Sequence, residues 1–357
     1  MGPVDPLLSR VVADEWRLER RLGPSGAGTR YEAQSTRDGS YRVVEVLLGG
    51  HVPSERDLER YRRAFAAANE LRHPNVAEVH TIGRLDGGAV YAVLDYFEGE
   101  DLATRIERDG ALRWADARRI CDDVAAGLSA AHAKGIVHDH HEPASIFVMR
   151  RLAAPVRALI LHFGVSELAR TREHDMMRDT GAYPRQSAYE SPEKVSGEAT
   201  DARSDVYALA AILFEMMTGS PPFTGPNVPA VLARVLSEPP PSVTACAKQP
   251  IPVGLEEILR KALAKDPDER PATVELLMRK VRSTEALQRW AWPSGADISA
   301  PVRRAAGNEP ERAAEPPAAA VAVAPDARPR GVWIIAGALA IAFLLIGAAL
   351  LMAMSDG

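Results

Sequence analysis

Apolar and polar positions change their spacing along this chain. Between residue 16 and about residue 97 the apolar runs are short and β-branched. Tyr41-Arg-Val-Val-Glu-Val-Leu-Leu48 and Val90-Tyr-Ala-Val-Leu-Asp-Tyr-Phe97 have the content of strands. Between them, Glu55 to Leu71 is charged and alanine-rich without Pro or Gly, which predicts a single helix. From about residue 101 the pattern turns helical. Ile120, Val124, Leu128 and Ala131 recur at intervals of four, four and three, one apolar helix face. Val206, Leu209, Ile212, Leu213, Met216 and Met217 repeat the pattern inside a mostly apolar segment, which predicts a buried helix. The fold class expected is α+β: a small β-rich lobe with one main helix over 16–97, then a larger helical lobe over 100–283.

Beyond residue 283 the pattern is lost. Ala305 to Pro325 reads AAGNEPERAAEPPAAAVAVAP, too poor in large apolar side chains to offset its ordering entropy, so 284–331 is expected to be an Ala/Pro-rich tether. Val332 to Met354 then runs 23 residues without a charge. As a helix it would span about 34 Å at ~1.5 Å per residue, enough for a hydrocarbon core of about 30 Å. The expectation is a single-pass transmembrane helix over 332–354 with a short tail over 355–357. Arg328 and Arg330 precede it and favour a cytoplasmic location for the N-terminal part. Ala336, Ala340 and Gly347 lie near one face of that helix and would permit a homodimer. Residues 1–15 form an N-terminal extension without an apolar run of signal-peptide length.

Composition narrows the function. A net charge of −5 argues against a nucleic-acid partner, which would require a basic domain. Cys121 and Cys246 stand far apart, without metal-type spacing, and a reducing compartment fits. Lysines occur only at 134, 194, 248, 261, 265 and 280, so the β-rich lobe has none.

Short motifs carry more. In order along the chain stand Leu22-Gly-Pro-Ser-Gly-Ala-Gly-Thr-Arg-Tyr31, Leu71-Arg-His-Pro-Asn-Val76 and Gly135-Ile-Val-His-Asp-His-His-Glu-Pro-Ala-Ser-Ile-Phe147. His162-Phe-Gly164, Ser191-Pro-Glu193, Asp205-Val-Tyr207 and Asp266-Pro-Asp-Glu-Arg-Pro271 follow. Over residues 16 to 283 the chain resembles a bacterial serine/threonine protein kinase. The pieces match, in turn, the glycine-rich loop, the segment after the N-lobe helix, the catalytic loop, the metal-binding motif, the end of the activation segment and two C-lobe landmarks. The resemblance implies that Glu193 pairs with Arg270, that Asp205 braces the catalytic loop and that His138 stacks with Phe163.

It also implies what is missing. Phosphoryl transfer in this family requires a Lys on the phosphates, a Glu holding it, metal ligands and an Asp for the substrate hydroxyl. The Lys position is Glu45, and nine residues before His73 the helix Glu position is Ala64. The catalytic Asp is His140, the Lys two residues on is Glu142, the metal-binding Asn is Ser145 and the metal-binding Asp is His162. What remains is a vestigial nucleotide cleft at Gly23, Gly28, Arg30 and Glu45. Arg30 stands where the family has a Val roofing adenine, and it is expected to pair with Glu45. The expectation is therefore a membrane-anchored pseudokinase without cofactor, serving as scaffold or allosteric partner of a signalling protein. The alternative is an atypical active kinase using ATP and Mg²⁺. A third reading gathers His140, Glu142 and His162 into a Zn²⁺ site.

Overall fold

The computed structural model describes residues 5–25, 28–47, 55–139, 141–150, 155–161, 163 and 185–291. The expected tether beyond 291, the expected membrane span 332–354, His140 and His162 lie outside the described residues. Among the described residues no helix is long and apolar enough to cross a membrane.

The first lobe is built on an antiparallel sheet of β1 (Val11–Val12), β2 (Trp16–Pro24), β3 (Gly28–Ser35), β4 (Tyr41–Leu47), β5 (Val79–Arg84) and β6 (Val90–Asp95). Their order is β1-β2-β3-β4-β6-β5. Strand alternation sorts β4 by face. Val44 and Val46 pack with Leu18, Tyr31, Ala33, Tyr91 and Val93 in one core. Val43 and Glu45 point the other way and line a cleft. Glu45 is therefore buried by its strand register. Helix α1 (Glu55–Asn69) is the single helix expected in this lobe. The lobe begins before residue 16. β1 pairs with β2, and Tyr31 Oη donates to Asp5 at 2.9 Å, so the extension adds to the sheet.

The second lobe packs α3 (Trp114–His132) against the helix Ala202–Thr218, whose residues are buried on every side from Ser204 to Met217. Ile120, Val124 and Leu128 meet Leu209, Ile212 and Leu213 in its core. Two features depart from expectation. A second antiparallel sheet, β7 (Gly99–Asp101), β8 (Ile146–Met149) and β9 (Arg157–Ile160), lies where only helices were expected. Its strands are too short for periodicity to separate from helix. The last helix among the described residues, Val274–Ala291, runs past the expected boundary at 283 into the stretch assigned to the tether.

Helix α2 (Leu102–Asp109) begins directly after β7. Asp101 is its N-cap, with Oδ1 accepting from the Thr104 amide at 2.8 Å. That cap places a buried carboxylate in the lining of the cleft.

Candidate functional site

The floor of the site is a braced loop. Asp205, on the central helix Ala202–Thr218, accepts the backbone N–H of His138 at 2.9 Å and of Asp139 at 3.0 Å. His132 Nε2 lies 2.8 Å from the same carboxylate. Burial pulls the Asp205 carboxyl upward, but His132 and His138 outweigh it and hold it below the usual range. His138 Nε2 bonds the Leu161 carbonyl at 2.9 Å, and its ring meets Phe163 edge-on with centroids 4.6 Å apart. Glu193 and Arg270 form a buried bidentate pair at 2.7 and 2.8 Å. All three arrangements expected from the motifs are present.

Ser145 and Glu142 serve the loop. The turn Pro143–Ser145 starts at Glu142, whose backbone N–H donates to Ser145 Oγ at 3.1 Å. Ser145 Oγ in turn donates to the Glu142 carbonyl at 2.7 Å and lies 3.3 Å from His141 Nδ1. With the hydroxyl proton on that carbonyl, Oγ can accept from Nδ1–H, which leaves Nε2 as a bare acceptor. Ser145 is 2% exposed and its hydroxyl is engaged by its own loop. His141 is 3% exposed. Burial, and then the neighbouring His138, push its pKa down to about 3.

Above the loop, a cleft of about 530 Å³ separates the lobes. Its described lining carries five carboxylates, Glu45, Asp95, Glu98, Glu100 and Asp101, against three guanidiniums, Arg20, Arg30 and Arg150. Two glycines let strands β2 and β3 fold over it. Gly23 has φ +128°, open only to glycine, and a Cβ at Gly28 would meet the Val46 carbonyl oxygen at 2.1 Å. Glu45 is 2% exposed and accepts from Ser25 Oγ. Arg30 and Glu45 are cross-strand partners in β3 and β4, as expected, but their side chains do not pair. Arg30 Nη2 donates to Asp101 Oδ2 at 2.5 Å and to the Pro24 carbonyl at 3.2 Å, with its guanidinium carbon 5.9 Å over the Phe147 ring. Glu45 thus bonds the Ser25 hydroxyl, while Arg30 bonds the N-cap carboxylate.

This two-lobed frame has counterparts among known proteins. The model of the protein kinase domain matches residues 16–281. The chain belongs to the protein kinase family. It is 29% identical over 287 residues to serine/threonine-protein kinase pkn3 of Myxococcus xanthus, covering 80% of this chain and 52% of that protein. It is 32% identical over 257 residues to serine/threonine-protein kinase PknD of Mycobacterium tuberculosis, covering 71% of this chain and 37% of that protein. The chain thus spans about half or less of the length of these relatives. Among solved structures, the kinase domain of PknI from M. tuberculosis is similar, with TM-score 0.60 and 25% identity, covering 78% of this chain and all of that one.

The candidate positions expected from the resemblance fall in different places. Glu45 is in the cleft, and Glu142 and Ser145 close the catalytic-loop turn. Ala64 lies within α1. His140 and His162 lie outside the described residues. Among the described residues no group of three His, Cys, Asp or Glu side chains could hold a metal. Two cleft residues were missed by sequence reasoning: Asp101 and Phe147. Asp101 carried a signal, a carboxylate directly before an amphipathic helix. Phe147 was quoted only as the end of the catalytic-loop motif.

Proposed function

We propose that this chain is a pseudokinase, a non-catalytic protein that acts as scaffold or allosteric partner in signalling. One observation carries the reading: a buried carboxylate, Glu45, occupies the cleft position where the family carries its phosphate-binding Lys. Facing a phosphate at ~4 Å with an effective dielectric near 20, it would contribute repulsion of roughly 4 kcal/mol per charge pair. The family's Lys would supply attraction of similar size, so the reversal is larger. No lysine elsewhere in the first lobe can substitute, since Lys134 is the first in the chain. The metal-binding side fares no better. Mg²⁺ prefers oxygen ligands, and the Asn and Asp positions hold Ser145 and His162. The Ser145 hydroxyl is already committed within its own turn.

Active phosphoryl transfer is the second reading, favoured by the names of the relatives as serine/threonine-protein kinases. It requires several missing parts to be replaced together. In the proposed reading the apolar run 332–354 anchors the chain to a membrane, with the kinase domain on the cytoplasmic side. Its partner is a signalling protein, and the span's small residues permit a homodimer. Nucleotide binding tests the reading. ATP with Mg²⁺ should leave the melting temperature of the full chain unchanged, and a rise of several degrees would contradict it.

A further inference from the structure

Two buried polar groups, on segments far apart in sequence, line one small cavity of the second lobe. His141, on the loop held by Asp205, is 3% exposed, and Ser191, just before the short helix Pro192–Val195, is 2% exposed. The His141 imidazole is neutral and its Nδ1–H faces Ser145 Oγ, so Nε2 is an acceptor. Ser191 holds the N-cap position, yet its hydroxyl makes no capping bond to the helix. Among the described residues neither His141 Nε2 nor Ser191 Oγ has a hydrogen-bond partner, so they do not bond each other either.

Neighbouring polar groups are committed elsewhere. Asp205 takes the backbone N–H groups of His138 and Asp139, and Ser204 Oγ donates to Glu193 at 2.6 Å. Lys194, one turn along from Ser191, donates to the Asp139 carbonyl and holds the short helix against the loop. The two orphaned atoms are thus kept at one cavity without meeting. Its volume is about 20 Å³. A water needs at least about 10 to 15 Å³ and two to four polar partners, so one water fits and a larger solute does not. An anion could not serve, because it has no proton for Nε2. Among the described residues no group of three His, Cys, Asp or Glu side chains could hold a metal there. We infer that one water molecule occupies this cavity as a structural ligand, donating to His141 Nε2 and bonding Ser191 Oγ, and ties the loop to the segment entering the helix Pro192–Val195. Leaving both buried groups unmade would cost more than immobilising one water. The site goes beyond the proposed function, since it stands whether or not the chain transfers phosphate.

The full chain carries the test. In its crystal structure, at a resolution that shows ordered water, one solvent peak is expected about 2.7 to 3.2 Å from both His141 Nε2 and Ser191 Oγ. In solution, His141→Leu, Ser191→Ala and the double variant are compared by urea unfolding. Side chains that share no partner lose stability independently, whereas a shared water couples the losses. The double variant should lose less than the product of the single losses, by about threefold or more in the unfolding equilibrium constant. An absent peak, a direct bond between Nε2 and Oγ, or an occupant other than water would overturn the inference. Single losses that multiply to the double loss would do the same. The crystal measurement needs no variant, so it decides alone if a variant fails to fold.

Discussion

At the scale of single residues, this kinase fold keeps the charged groups that brace its backbone. Asp205, Glu193 and Arg270 are in place, and a buried carboxylate, Glu45, lines the cleft. His141 shows a further consequence. Its imidazole is neutral in the fold, with a pKa pushed to about 3 by burial and by His138; Asp205 and His132 also face it. In the unfolded chain it titrates near its ordinary 6.5. A depressed pKa gives stability that is present above about pH 6.5 and is lost as pH falls toward 3. Between pH 7 and pH 5 wild type should lose about 2 kcal/mol more stability than His141→Leu in urea unfolding. Equal losses would show that His141 protonates without penalty. The resemblance assigned Glu45 to the cleft, and it lines the cleft because period-two alternation turns it away from the core side of β4. The burial of His141 was not legible, since nothing in a run of three polar residues tells which one turns inward.

At the scale of elements, the resemblance set Arg30 and Glu45 side by side, and the two are backbone partners across β3 and β4. The side-chain partner was not legible. Asp101 is brought to Arg30 by the cap of α2, a contact across 71 positions that no local pattern encodes. The sheet β7-β8-β9 escaped for a related reason, since β7 pairs with β8 across a long interval and all three strands are too short to show a period. The bridge from β3 to α2 has a measurable signature. Arg30→Ala and Asp101→Ala should couple by about 0.5 to 3 kcal/mol in a double-mutant cycle. Arg30→Ala and Glu45→Ala, with different partners, should combine nearly additively. Coupling found only in the second pair would restore the partner expected from sequence.

At the scale of the whole molecule, the two-lobed fold was legible because its landmarks occur in order and at family spacing, each answering to a structural demand. The far end is a different matter, resting on hydropathy alone. If residues 332–354 anchor the chain, truncation before Gly331 should release folded protein from washed membranes; retention of the truncated form there would contradict the anchor. The central claim is that the fold survives without its chemistry. Missing catalytic parts act as a unit, so Glu45→Lys alone should not restore activity. The most direct test is transfer of labelled phosphate from ATP with Mg²⁺ to the chain itself and to a generic protein substrate, with His140→Ala as control. The account predicts no incorporation above that control. Incorporation by wild type that His140→Ala abolishes would contradict it.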